Sequence, residues 1–483
     1  MRYAHAVADV RSAERELMAR LPEGALMQRA AFGLATVAAG MLRGEAGSVY
    51  GSRVVLLVGV GDNGGDALYA GALLAGRGAI VHAVLADPAR AHAGGLAALR
   101  DVGGRVVFAA AAAEAEAVLL RADLVVDGLL GIGGHGGLRG AFAELAALAH
   151  SAAQASGAPI LAVDLPSGID ADTGEVAGAA VQADVTVTFG TYKPGLFLDP
   201  GAGHAGIIEF VDIGLEFPAS VEPVIENLRE GDVRALLPEP NRSSHKYSRG
   251  VVGLAVGSER YPGAALLSVG AAQRSGVGAV RYSGPVHVVD AYPEVVMGEG
   301  RVQAWVVGSG LGQDEEAQRR LLDVLATDLP VVVDADGLRL LPQKALDRSA
   351  PTILTPHSGE AAQLLGVPVA QIEGQRLASV RRLAESYGAT VLLKGSLTLI
   401  CDPSNTTVRV NTHASAALAT AGSGDVLAGL VGGLLAGGLS AYDAGSVGAY
   451  LHGAAGLLAA RSGPVAAGDL VATLPLAWQN LQE

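Results

Sequence analysis

The chain has 483 residues, a formal net charge of −14, 50% apolar and 17% charged residues. That length exceeds one ordinary hydrophobic core, so two domains are expected, and the composition fits a well-buried globular protein rather than a disordered one. The acidic balance argues against a general nucleic-acid binder, since a phosphate backbone needs a basic face, but leaves room for a nucleotide site built from local donors.

Cys401 is the single cysteine, so neither a disulfide framework nor a Cys-based zinc site can form within one chain. Aromatic residues are scarce at 4%, and glycine is abundant at 67 residues. A core of Ala, Val, Leu and Gly favours close helix–sheet packing, as in α/β folds. The opening "MRYAHAVADVRSAEREL" has no apolar centre of the kind a secretory signal needs. The longest apolar run, Val426 to Leu439, is too short and too rich in glycine for a membrane span. A soluble cytoplasmic protein with no membrane partner is expected.

In chain order, residues 8–43 carry apolar residues at spacings of three and four and predict helix. "RVVLLVGVG" (53–61), "AIVHAVLAD" (79–87), "ADLVVDGLLG" (122–131), "APILAVDLPSG" (158–168) and "ADVTVTFG" (183–190) are continuous apolar runs that predict strands. Ala-rich helical segments separate them, the pattern of a parallel sheet covered on both faces. Around 215–245 the pattern breaks into a Pro-rich, charged stretch without a sustained strand. The boundary is placed there, giving domains over 1–220 and 228–483. Alternation restarts with "GVVGLAVGS" (250–258), "AWVVGSGLG" (304–312), "PVVVDADGL" (330–338), "PTILTPHSGE" (351–360) and "ATVLLKGS" (389–396). No fixed-period repeat relates the halves, so two different α/β domains are expected.

In "VGVGDNGGDALYAG" (58–71), Gly59, Gly61 and Gly64 match G-x-G-x-x-G, and Asp87 ends the next strand. A dinucleotide-binding redox turn is one reading, and a tight βα turn of small residues is another. Asn63 and Asp66 add oxygen groups that a redox fingerprint does not need. Asp127, Asp164, Ser167 and Lys193 stand at further strand ends, and in a parallel sheet those ends open onto one crevice. Each could alone be a cap or turn residue. Together, the segments "NGGDAL", "VDGLLGIG…GLRG", "DLPSGIDADTGEV" and "TFGTYKPGL" resemble the NAD(P)H-hydrate epimerase domain over most of residues 1–215.

That resemblance implies a Rossmann-like three-layer αβα sandwich that binds hydrated NAD(P)H with a potassium ion. The implied K⁺ ligands are Asn63, Asp127 and Ser167, and hard oxygens suit an alkali cation. The implied substrate contacts are Asp62, Asn63, Gly64, Gly65 and Asp66, the loop Gly131, Ile132, Gly133, Gly134, His135, Gly136 and Gly137, then Asp164 and Lys193. Asp164 is implied as the acid–base residue for inversion at the hydrated carbon. The chain departs from the family pattern at Asp62, where Asn is usual, and at Ala67, where Gly is usual.

In the second half, "YPGAALL" opens a helix with small residues, "VGSGLG" (307–312) is a second Gly turn, and "LTPHSGE" places His357 and Glu360 at a strand end. "LLKGSLTLI" puts Lys394 and Thr398 about a hairpin-like turn, and "AGSGDVLAG" sets Asp425 at a helix start. Backbone N–H groups at 422–425 can neutralise phosphate, and Asp425 can take a proton from an attacking hydroxyl. The structural alternatives are an N-cap aspartate and a strand-end histidine. No P-loop lysine motif is present, which disfavours a Walker-type ATPase. With "RSSHK", these segments resemble the ribokinase-like ADP-dependent (S)-NAD(P)H-hydrate dehydratase domain over about residues 230–483.

The implied substrate contacts are Ala264, Gly310, His357 and Asp425, with Asp425 catalytic. Lys394, Gly395, Ser396, Leu397, Thr398 and Gly424 are implied to hold ADP, accompanied by Mg²⁺. Ser423 stands where the family often has Thr, and "HKYSRG" (245–250) lacks the glycine that usually follows the lysine. The resemblance as a whole implies a bifunctional repair enzyme for NADHX and NADPHX, and a homo-oligomer is expected. A small-molecule kinase and a nonenzymatic dinucleotide-binding protein are the alternatives. The N-terminal motif set is what a simple kinase has no reason to carry.

Overall fold

The computed structural model describes residues 1–342, 346 and 348–482. The chain divides into two compact units, Tyr3–Val224 and Ile225 to the C-terminus, the second joined by Met1–Arg2.

The N-terminal unit is built on a seven-stranded sheet. Its strands run Arg105–Phe108, Ile80–Leu85, Arg53–Val58, Leu124–Gly128, Ile160–Val163, Val185–Phe189 and Ile207–Val211, each parallel to its neighbour. The central strands are apolar throughout because both faces are covered. Helices Ala25–Glu45 and Asp62–Ala75 share one core cluster with the sheet, and Ala112–Leu119 and Ala141–Ser156 share the other. The chain runs outward from Arg53–Val58 in one direction, then returns to Leu124–Gly128 on its other side. Strand order therefore reverses between those two strands, and a crevice opens at their carboxyl ends.

Residues 8–43 form two helices, Val7–Met18 and Ala25–Glu45, rather than one. Pro22 and Gly24 lie in the break. Strands Arg105–Phe108 and Ile207–Val211 escape the sequence reading because they are short, half-exposed edge strands, the first running straight into an alanine stretch and the second interrupted by Glu209. Ala25–Glu45 is long and apolar enough by length and composition to cross a membrane. In the fold its Ala31, Leu34, Ala38 and Leu42 face the sheet at helical spacing, as in a core helix.

The C-terminal unit has a mixed sheet. Its strands run Ile225–Asn227, Val408–Asn411, Thr398–Cys401, Thr390–Leu393, Thr352–Leu354, Val331–Val333, Ala304–Val307, Val251–Ala255, Ala279–Tyr282 and Val296–Met297. Pairing is parallel except where Thr398–Cys401 meets its two neighbours. The Pro-rich 215–245 stretch contains a three-residue strand, Ile225–Asn227, and a helix, Glu230–Leu236, both too short for a periodic signal. Helices Ser423–Ala436 and Pro262–Gln273 meet closely, since a Cβ on Gly429 would overlap the backbone of Ser268.

Candidate active sites

The N-terminal crevice begins at a close approach. A Cβ on Gly59 would overlap the Leu129 carbonyl, so the turn after Arg53–Val58 lies directly on the loop after Leu124–Gly128. Gly61 caps helix Asp62–Ala75 without a side-chain bond. Asp62, Asn63, Gly64, Gly65 and Asp66 thus form its first turn, where unpaired N–H groups favour an anion.

Asp127 is fully buried. It accepts from Ser167 N–H (2.8 Å), Ser167 Oγ–H (2.7 Å) and Leu129 N–H (3.2 Å). Burial pushes its carboxyl up to about 6, against the pull of those three donors. Every one of these partners is neutral. A carboxylate buried without a cationic partner is costly, and a bound monovalent cation would compensate it. Asn63 Oδ1 lies 2.8 Å from where a Cβ on Gly131 would be, and its buried Nδ2 has no hydrogen-bond partner. Ser167 Oγ also accepts from Leu130 N–H (2.9 Å). Amide, carboxylate and hydroxyl oxygens meeting beside an uncompensated charge fit an alkali cation.

Gly131, Ile132, Gly133, Gly134, His135, Gly136 and Gly137 form a folded loop. Gly134 N–H donates to Gly131 O (3.0 Å), His135 Nδ1 lies 3.5 Å from Asp170 Oδ2, and Gly137 abuts Gly178. Asp164 follows strand Ile160–Val163 at φ 67°, a left-handed conformation uncommon for a non-glycine residue. Its carboxylate accepts from the buried Lys193 ammonium. Lys193 Nζ also donates to Thr188 Oγ1 (3.2 Å) and Phe189 O (3.0 Å). All three ammonium donors are engaged, so Lys193 orients Asp164 and has no donor left for a ligand.

Two residues of this site were missed in the sequence. Helix Val7–Met18 brings Glu14 and Arg11, and its first N–H, at Val7, is held by Asp172 Oδ1 at 2.7 Å. Burial raises the Glu14 carboxyl, with Asp164 and Asp62 adding to it and Lys193 and Arg11 opposing. Burial also holds the Asp66 carboxyl well above its usual range, with Asp164, Asp62 and Glu14 adding to it. One ammonium therefore acts on three carboxyl groups, those of Asp164, Glu14 and Asp66. Arg11 Nη2 lies 3.5 Å from where a Cβ on Gly133 would be. A helix some 150 residues before Asp164 in the chain carries no local motif that could have disclosed this.

In the C-terminal unit, helix Ser423–Ala436 is capped by Gly422 at φ 87°, so Asp425 lies inside the first turn and is not the cap. Burial pushes the Asp425 carboxyl up to about 6, with Asp334 and Asp336 adding to it and Ser309 and Lys394 opposing. Ser268 Oγ donates to the Asp425 carbonyl (3.0 Å).

Strands Thr390–Leu393 and Thr398–Cys401 form a hairpin whose turn is Lys394, Gly395, Ser396 and Leu397. Lys394 Nζ lies 2.9 Å from Asp334 Oδ1, 3.8 Å from Glu360 Oε2, and 3.2 Å from where a Cβ on Gly424 would be. The hairpin and the Asp425 loop therefore adjoin. Buried Arg376 Nη2 donates to Leu393 O (3.2 Å), Lys394 O (3.3 Å) and Leu397 O (2.9 Å), holding the turn from behind. Gly310, at φ 59°, is pressed so close to Ala264 that a Cβ would lie 2.6 Å from the alanine methyl.

His357 caps helix Ser358–Leu365. Its Nδ1 accepts from Gly359 N–H (2.9 Å), and Glu360 Oε2 accepts from His357 N–H (2.8 Å). This reciprocal box fixes the ring and leaves Nε2 to carry the proton of the neutral form. Ser309, Asp334 and Arg376 carried no signal in the sequence. They sit within a Gly turn, a strand end and a helix, and only the folded sheet joins them.

A Rossmann-like unit with an oxygen-lined crevice and a ribokinase-like unit with an acid beside a basic hairpin define a fused two-site α/β enzyme. The family model for NAD(P)H-hydrate dehydratase matches residues 252–476, and the model for the YjeF-related protein N-terminus matches residues 23–195. The bifunctional NAD(P)H-hydrate repair enzyme Nnr of Mycobacterium leprae is 47% identical over 442 residues, covering 89% of each chain. The Nnr of Corynebacterium glutamicum is 38% identical, covering 84% of this chain and 82% of its own. The ADP/ATP-dependent NAD(P)H-hydrate dehydratase of Bacillus subtilis, crystallised with ATP/Mg²⁺, is 33% identical. It covers 52% of this chain and 97% of its own, with a TM-score of 0.50. The chain belongs to the bifunctional NAD(P)H-hydrate repair enzyme family.

Proposed function

We propose that this chain restores hydrated NADH and NADPH by dividing the work between its two units. The N-terminal unit interconverts the R and S hydrates. Asp164, oriented by Lys193, exchanges protons with the hydrated ring, and the first turn at 62–66 with the 131–137 loop receives the dinucleotide. Asn63, Asp127 and Ser167 hold K⁺, which supplies the positive charge that buried Asp127 lacks.

The C-terminal unit dehydrates the S form with ADP. Asp425 takes the proton of the ring hydroxyl, whose oxygen attacks the terminal phosphorus. The bond from that phosphorus to the bridging oxygen breaks and AMP leaves. The new phosphate ester departs from the ring carbon, pushed by the ring nitrogen lone pair, and the adjacent carbon loses a proton to complete the double bond. Lys394 to Thr398 and Gly424 grip the nucleotide, whose phosphate charge Mg²⁺ offsets. Ala264, Gly310 and His357 border the nicotinamide.

The observation that carries this reading is Lys394, placed between Asp334 and the Gly424–Asp425 turn. It puts a cation beside a carboxyl that burial disposes to hold a proton, which supports a nucleotide grip next to a base. The test mixes protein, hydrated NADH and either ADP or ATP, and follows return of the dihydronicotinamide absorbance. Recovery with AMP and phosphate released in step is expected with ADP. Absence of recovery with both nucleotides, or a stable phosphorylated product, would contradict the dehydratase reading.

A further inference from the structure

We propose that Asp334 and Ser309 are positioning residues for the dehydratase, with Asp334 fixing Lys394 at the nucleotide grip beside the base Asp425 and Ser309 holding Asp334. This rests on the reading of Asp425 as the base.

Both residues are buried, Ser309 at 0% and Asp334 at 1% exposure. Asp334 Oδ1 accepts from Lys394 Nζ (2.9 Å) and Thr355 Oγ1 (2.7 Å), and Oδ2 accepts from Ser309 Oγ (2.9 Å). Lys394 Nζ in turn lies 3.2 Å from where a Cβ on Gly424 would be, which sets the ammonium beside Asp425. Ser309 favours the ionised form of Asp425.

The backbone holds this arrangement. Asp334 ends strand Val331–Val333 and is followed by Ala335 at φ 48°, a region that L-residues rarely adopt. The turn sends two carboxylates to one target. Asp334 holds Ser309, and Asp336 Oδ2 accepts from Gly312 N–H (3.0 Å). The Gly308–Gly312 turn, with Gly310 against Ala264, is thereby gripped at two points. Strain at a site-forming turn fits a positioning role.

The charged groups acting on Asp425 are Asp334 and Asp336, which hinder its ionisation, and Lys394, which favours it. Glu360 reaches Lys394 at 3.8 Å, and His357 lies 3.4 Å from Glu360. Buried His452 faces Ser423 in the Asp425 helix.

The two residues therefore act on the base with opposite sign. Asp334→Asn removes a like charge and frees Lys394 to turn to Asp425, so Asp425 ionises at lower pH. Ser309→Ala removes a hydroxyl that favours the ionised form, so Asp425 ionises at higher pH. The measurement is the pH profile of kcat for the dehydration of S-hydrate by the full chain. In the wild type an acid limb that Asp425→Asn abolishes is expected. Asp334→Asn should move the limb down by about one pH unit and raise the KM for ADP on the order of tenfold. Ser309→Ala should move it up by roughly half a unit with little change in KM. Ser309→Ala also keeps the test open if Asp334→Asn does not fold. An Asp425-dependent limb that stays in place in both variants overturns the inference and leaves the base reading standing. A wild-type profile without an Asp425-dependent limb overturns both.

Discussion

The Lys193 ammonium is buried against the Asp164 carboxylate, and Asp164 itself stands on left-handed backbone at φ 67°. The pair ties the ends of two adjacent parallel strands, Ile160–Val163 and Val185–Phe189. Lys193→Met leaves Asp164 as an unpaired buried charge, a change that costs about 3–5 kcal/mol. Calorimetry should show a lower unfolding temperature for the N-terminal unit alone, with epimerisation lost and dehydration of S-hydrate retained. Loss of dehydration in step with epimerisation would contradict this division.

The cation reading has its own signature. Asp127 has only neutral partners, so K⁺ should stabilise the N-terminal unit beyond what matched LiCl or choline chloride does, by mass action on the folded state. Asp127→Asn should abolish the difference. Equal unfolding temperatures in all three salts would leave Asn63, Asp127 and Ser167 without their proposed ion.

Much of this was legible in the sequence. The apolar runs at 53–61, 122–131 and 351–360 marked central strands because burial on both faces removes polar alternation. Asp127, Asp164, Asp425 and Lys394 stood out because glycines or turn residues flank them. Ile207–Val211 stayed hidden because this edge strand is short and Glu209 interrupts its apolar residues. Glu14, Ser309, Asp334 and Arg376 stayed hidden for a different reason. Each gains its meaning from partners tens to hundreds of residues away, as Arg376 does from the carbonyls of Leu393 to Leu397.

Arg376 provides a separable effect on nucleotide binding. One nitrogen, Nη2, reaches the carbonyls of Leu393, Lys394 and Leu397, so removing it takes away the support behind the hairpin turn. Arg376→Met should weaken ADP binding about tenfold, on the order of 1.4 kcal/mol, with a much smaller effect on kcat. Titration calorimetry with ADP checks this, and unchanged affinity would remove Arg376 from the nucleotide site.

His452 should make the C-terminal unit sensitive to acid. Burial lowers its imidazole to about 4, against the pull of the Ser423 carbonyl. A group whose folded pKa is depressed stabilises the fold above its unfolded pKa, near 6.5, and that contribution is lost as pH falls through about 4. The gap corresponds to roughly 3 kcal/mol. Denaturant unfolding of the C-terminal unit between those two pH values should show this loss. His452→Gln should flatten the slope, and an unchanged slope would place the acid sensitivity elsewhere.

The central claim is that one chain repairs both epimers by passing R-hydrate through the first unit before the second acts. Its most direct test is the time course of absorbance recovery from an R/S mixture of hydrated NADH with ADP, compared between the wild type and Asp164→Asn. Asparagine tolerates the left-handed backbone and keeps an oxygen for Lys193, which loses its counter-charge, so circular dichroism of the variant accompanies the time course. The account predicts that the variant consumes the S half at the wild-type rate and leaves the R half to slow spontaneous epimerisation. Recovery of the R half at the wild-type rate in the variant would contradict it.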